Sequence, residues 1–269
     1  MALIDRAPGP GPSAHSPVFT GEFETHLTVP DRPGELPALA AWSAARGLEL
    51  THIVLARGRT PSQPMLTLRG SGTLEHQQVA ADALARELRQ AGWPPVRVKI
   101  EATPWTLGVP EHDRDAAALG PGYYFEHHLK VRLTPGADLP ALTALALAHD
   151  AHLSWNARRV ERDGRSQRFV TQRCHGVGLR TAGERLDRLV GALGASAADS
   201  HGCLELISVE REFVVLDSNL GIDDGWLDDD HRDPRGHEPS SHGSDHDHDH
   251  DHNDHDTADR HPTTAKAAR

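Results

Sequence analysis

The chain has 269 residues, with 39 Asp and Glu against 28 Lys and Arg, for a formal charge of −11. Two cysteines exclude a disulfide framework, and no apolar run approaches the roughly 18 residues that a membrane span needs. The acidic balance argues against nucleic acid as a partner, since a phosphate-binding footprint is basic.

Residues 1–18 are rich in Pro and Gly, with one arginine and no apolar stretch, and are expected to be a disordered end rather than a secretory signal. A soluble, cytoplasmic protein with no membrane partner is the expectation. The middle of the chain is organised by an internal repeat. FETHLTV at 23–29 matches FEHHLKV at 125–131, and PGELPAL at 33–39 matches PGADLPAL at 135–142. TLRGSG at 67–72 matches TQRCHG at 171–176, and VKIE at 98–101 pairs loosely with VERE at 209–212. The order is kept in both halves.

In the first half, residues 22–29 alternate as a strand. A helix follows from Leu36, with Pro37 in its first turn and Gly47 as its C-cap. Strands are expected over 48–57 and 64–70, a helix over 74–91 and a last strand over 95–103. The second half repeats this pattern. Its second helix should open on a capping box of Thr181 with Glu184, bury Leu186, Leu189, Val190 and Leu193, and close at Gly194. The resulting fold class is α+β, with two tandem ferredoxin-like (βαββαβ) repeats at 19–104 and 123–228 and a linker at 105–122. After the last strand, Asp217, Asn219, Asp223 and Asp224 suit either a turn that packs Trp226 back or a contribution to a polar site.

Residues 229–269 form a second expected disordered segment. From Leu227 onward there are 12 acids, 5 bases and 9 histidines, and 245–256 reads DHDHDHDHNDHD. Nothing there can bury apolar surface. Imidazole and carboxylate are metal ligands, so His246, His248, His250 and His252 are candidates for divalent metal.

Strand alternation places the chemistry. Phe23, Thr25, Leu27 and Val29 take one face and Glu24, His26 and Thr28 the other; in the copy, Glu126, His128 and Lys130 oppose an apolar set. Helices cover one face of such a sheet, so the polar set lies on the other. There, Lys130, Arg173, Arg69, Asn156, Thr171 and Lys99 are candidates to hold an anion. His128, His26 and Glu126 are candidates for acid–base work, and Glu210 and Glu212 for a metal. The functional expectation is a small anionic, phosphate-containing ligand, with a divalent metal (Mg, Mn, Zn or Ni) as the one cofactor. If the protein is an enzyme, this chemistry is phosphoester or phosphoanhydride hydrolysis. Two alternatives stand beside it: a non-catalytic regulatory or interaction module, and metal buffering through the tail. No dinucleotide, P-loop or serine-hydrolase motif is present, so no organic cofactor is expected. Whether the two polar faces meet, and the oligomeric state, stay open. A zinc site shared by Cys174 and Cys203 is not expected, because a helix of about 16 residues, roughly 24 Å long, separates them.

Three resemblances bear on this. HLTV at 26–29 resembles the His-x-Thr-hydrophobic motif of two-histidine phosphoesterases, which carry two such motifs; the second half has Lys130 where that motif has Thr. EHHLK at 126–130 resembles the Glu-x-Glu-x-Lys first strand of triphosphate-tunnel metalloenzymes, with His128 at the middle Glu. That family's charged strands line a barrel that binds polyphosphate and a metal. FEHHLKV, SWNARR, RFVTQR and VVLDSN…DDGW, spanning about 19–228, resemble a family of soluble tandem ferredoxin-like proteins, which implies no activity.

Overall fold

The computed structural model describes residues 17–159, 164–200 and 202–225, all within one compact unit. The tail histidines His246, His248, His250 and His252, Trp226 and most of the two expected disordered ends lie outside the described residues.

The elements run β1 (Thr20–Thr28), α1 (Leu36–Ala44), β2 (Glu49–Leu55), β3 (Ser62–Thr73), α2 (Leu74–Gln90), β4 (Arg97–Ala102), α3 (Asp113–Leu119) and β5 (Tyr124–Leu133). Then come α4 (Leu139–Ala148), β6 (Ala151–Asn156), β7 (Ser166–His175), α5 (Leu179–Asp199), β8 (Leu204–Asp217) and a 3-10 turn at Leu220–Asp223. This is a mixed α/β fold built on one antiparallel sheet. Its strands close into a barrel in the order β1-β3-β2-β6-β7-β5-β8-β4.

Two joints close the barrel. β4 pairs with β8 from Lys99–Asp217 to Ala102–Phe213, and β2 pairs with β6 from Ile53–Asn156 to Leu55–Ser154. The two polar faces therefore meet inside one wall. An eight-stranded barrel is just wide enough to be filled by side chains or to hold one small ligand.

The helices lie outside. α1 and α2 cover Leu27, Val29 and Leu66, with Leu39, Leu84 and Leu88 buried against them. α4 and α5 cover Leu129, Val131 and Val170 with Leu142, Leu186, Leu189 and Leu193. A third core joins Phe19, Phe23, Phe125 and Phe213. Pro37 and Pro140 sit in the first turns of α1 and α4, where a missing N–H costs nothing. The turn before β2 has Gly47 at φ 67°, and the turn before β6 has Asp150 at φ 53°; Asx residues tolerate this left-handed region better than most.

Three local expectations are corrected. The linker 105–122 contains α3. α5 starts at Leu179 rather than on a Thr181–Glu184 box, because the linker supplies the cap: Gly178 N donates to Asp113 Oδ1 and Thr181 Oγ1 donates to Asp113 Oδ2. A Cβ at Gly178 would lie 2.5 Å from Glu111 O, so this close approach needs glycine. α5 also passes through Gly194 to Asp199, and continuing packs the partly buried Ala197 against the same core as Leu193.

Candidate functional site

The barrel holds a half-open cavity of about 180 Å³, room for roughly a dozen water-sized spheres. Its wall has two characters. Ile53, Leu55, Met65 and Phe169, on β2, β3 and β7, form an apolar side. Glu24, His26, Arg97, Lys99, Glu126, His128, Arg173, Glu210 and Glu212, with Asp223 from the 3-10 turn, bring charge.

The buried charges form a continuous network. Lys99 Nζ lies 2.6 Å from both Glu101 Oε1 and Glu126 Oε2, and each of these carboxylates is 1% exposed. Arg173 Nε donates to Glu126 Oε1 and its Nη2 to Asp223 Oδ2, both at 2.8 Å. Arg97 donates to Asp217 through Nε at 2.9 Å and to Asp223 Oδ2 through Nη1 at 2.9 Å. Tyr124 Oη donates to Asp217 Oδ2, and Gln63 Nε2 to Asp223 Oδ1. Asp223 thus ties β3, β4 and β7 together at one end of the barrel.

Burial works against every one of these ions, and the partners overcome it. For Lys99, the carboxylates of Glu101 and Glu126 outweigh burial and push its pKa up. Burial would raise the Glu101 carboxyl, but Lys99 and His26 hold it down to about 2. Glu126 is likewise held well below the ordinary range, against burial, by Arg173 and Lys99. Each carboxylate keeps a basic group at hand: Lys99 Nζ and His26 Nε2 lie 2.6 and 2.8 Å from the two Glu101 oxygens, and His128 Nε2 lies 3.2 Å from Glu212 Oε2.

Two histidines repeat one arrangement. His26 Nδ1 lies 3.0 Å from Thr67 Oγ1 and its Nε2 2.8 Å from Glu101 Oε2. His128 Nδ1 lies 3.0 Å from Thr171 Oγ1 and its Nε2 3.2 Å from Glu212 Oε2. A doubly protonated ring donates to both partners at once. Burial would lower the His128 pKa, but Glu212 and then Glu126 push it up to about 9. Burial and the charge of Glu101 raise Glu212 in spite of His128. His152, buried beside Arg173, is held well below its ordinary value, first by burial and then by that charge.

The residues assigned from sequence separate clearly. His26, His128, Glu126, Lys99, Thr171, Arg173, Glu210 and Glu212 all line the cavity. Arg69 does not: it is 61% exposed toward the other end of β3, where Nε donates to Glu24 Oε1 at 2.8 Å and Nη1 to Glu49 Oε2 at 2.9 Å. Lys130 Nζ lies over the Phe169 ring, 5.6 Å from its centroid. Asn156 accepts from Arg158 N in the turn after β6. Arg97, His152 and Gln63 were not singled out from sequence; Arg97 shares the inward parity of Lys99, which is the signal that marks it. Asp217 and Asp223 took the polar-site option, not merely the turn.

Among the described residues, one group has metal-ligand spacing: Glu101, Glu126 and His128 offer donor atoms within 4.8 Å of one another. The Lys99 ammonium stands between its two carboxylates, so the group already holds a cation and does not fit a divalent ion while Lys99 stays. No helix among the described residues is long and apolar enough to cross a membrane.

No protein-family model matches the chain, and no curated protein does. Among solved structures, the acetolactate synthase small subunit from Thermotoga maritima aligns at 15% identity and a TM-score of 0.27, covering 72% of this chain and 94% of that one. The aspartate kinase regulatory subunit from Thermus thermophilus aligns at 16% and 0.27, covering 65% and 94%. Chlorite dismutase from Candidatus Nitrospira defluvii aligns at 15% and 0.24, covering 72% and 91%. Likeness at this level carries no functional argument.

Proposed function

We propose that the protein binds one small molecule inside the barrel, and that this molecule has an apolar body and a cationic head. The two halves are taken as a duplicated ferredoxin-like unit whose polar faces line one cavity. The carrying observation is that the charges of the wall are already matched: Glu126 takes Lys99 and Arg173, Asp223 takes Arg97 and Arg173, Glu24 takes Arg69 and Glu212 takes His128. Arg97, Lys99 and Arg173 each have a carboxylate within 3 Å. A polyphosphate would have to break these pairs, whereas a cation need break none and has the Glu210 carboxylate on the wall. The apolar side supplies burial, which contributes roughly 25 cal/mol per Å² of area covered.

Binding without turnover suits the histidines, since both ring nitrogens of His26 and of His128 are engaged. A thermal-shift screen of the full chain tests the reading. A ligand at a hundredfold its Kd stabilises by about 2.7 kcal/mol. Alkyl and aryl amines should raise the midpoint, while pyrophosphate and triphosphate, with or without Mg, should not. A shift with triphosphate and none with amines would return the ligand to the anionic class.

A further inference from the structure

The apolar side of the cavity carries one group that its neighbours do not satisfy. Ser154 on β6 is 3% exposed and lines the cavity. In the strand ladders it lies opposite Leu55 on β2 and opposite Phe169 on β7. Residues directly opposite one another share a face, and both of these line the cavity too. The hydroxyl therefore sits between an isobutyl group and a phenyl ring, neither of which can donate or accept. Among the described residues, the Ser154 hydroxyl has no hydrogen-bond partner. Other uncharged polar groups of the wall are engaged: Thr171 Oγ1 lies 3.0 Å from His128 Nδ1, and Gln63 Nε2 donates to Asp223 Oδ1. A side chain as buried as Ser154 ordinarily has a partner, and alanine would occupy the same position without needing one.

We infer that Ser154 receives an uncharged hydroxyl group of the ligand, on the apolar side of the barrel and apart from the cationic head. This rests on the reading of the barrel as a receptor for one small molecule and adds a second point of recognition.

The surroundings select the group. A hydrocarbon would cover Ser154 and leave it unpaired, which forfeits a hydrogen bond. An ion would lose its water for a single neutral partner. His152, the next residue of β6 on this face, also lines the cavity and is held uncharged by burial and by Arg173, so β6 brings no charge to offset that loss. A carboxamide brings a carbonyl and two N–H donors to a position that offers one hydroxyl. A hydroxyl brings one donor, and Ser154 can accept from it or donate to it. The ligand is thus an amine whose apolar body carries a phenol or an alcohol.

The test is calorimetric titration of the full chain with three probes. Tyramine and phenethylamine differ by one phenolic hydroxyl, and p-cresol keeps the phenol without the amine. Wild type should bind tyramine about fivefold more tightly than phenethylamine. Ser154→Ala, which leaves the strand and its ladder intact, should weaken tyramine alone and bring the two amines within about twofold. Equal affinities in wild type overturn the assignment of Ser154 and leave the barrel reading in place. A preference for tyramine that survives Ser154→Ala overturns it as well, since the hydroxyl is then held elsewhere. Binding of p-cresol that weakens in Ser154→Ala, with neither amine bound, supports Ser154 and overturns the cationic head. No binding of any probe overturns both.

Discussion

Replacing Lys99 by Met tests the network at its centre. Methionine keeps the unbranched length and removes the charge, leaving Glu101 and Glu126 facing each other at 1% exposure. Each keeps one partner, His26 at 2.8 Å and Arg173 at 2.8 Å. The magnitude follows from Glu101, whose pKa falls from the ordinary 4.5 to about 2, with Lys99 the largest influence opposing burial. That displacement is worth about 3 kcal/mol, and removing one member of a buried pair costs about 3–5 kcal/mol. The sign in pH is fixed by the direction: a depressed carboxylate stabilises above pH 4.5 and loses that contribution as pH falls toward 2. Lys99→Met should therefore lose about 3–5 kcal/mol at pH 7 in urea unfolding. Its deficit against wild type should shrink at about pH 3, where the carboxylates left without lysine take up protons. Lys99→Met with Glu101→Gln should recover much of the loss at neutral pH. A deficit below about 1 kcal/mol at neutral pH would refute the reasoning, as would one just as large in acid.

Further consequences can be measured separately. His128, raised from 6.5 to about 9 by Glu212 against burial, stabilises fully below pH 6.5 and loses that contribution as pH rises through 9, about 3 kcal/mol in all. Unfolding titrations from about pH 6.5 to 9.5 should show this slope in wild type and not in His128→Gln; an imidazole NMR titration centred near 6.5 would contradict it. Asp223→Asn keeps the shape but removes the charge that receives Arg97 and Arg173, and should cost about 2–4 kcal/mol, since bonds to charged groups contribute about 1.5–3 each; an unchanged urea midpoint would show that the turn does not tie this end. Cys174 is buried, with its thiol pushed up to about 11 by burial, while Cys203 is half-buried. A thiol-reactive disulfide at about pH 8 should modify Cys203 in the native protein and reach Cys174 only on unfolding; two fast thiols would be inconsistent with this packing.

Much of the wall was legible because strands alternate. Parity alone placed His26, Lys99, Glu126, His128, Thr171, Arg173, Glu210 and Glu212 on one surface, and all eight line the cavity. What parity cannot report is which strand edges pair. The barrel closes through only short joints, Ile53–Asn156 to Leu55–Ser154 and Lys99–Asp217 to Ala102–Phe213, and no local pattern marks an edge as destined for another. For the same reason Arg69 and Arg173 read alike in the sequence. Closure separates them: Asp223 covers Arg173, while Arg69 is left 61% exposed with Glu24 and Glu49. Asp223 itself arrives from a turn whose composition is that of any solvated loop.

The same closure changes what the charges mean. On an open sheet, Lys99, Arg69 and Arg173 read as free cations in search of an anion. Folded into a wall, Lys99 and Arg173 face carboxylates on strands that are distant in the chain, and the ion that each would attract has been supplied internally.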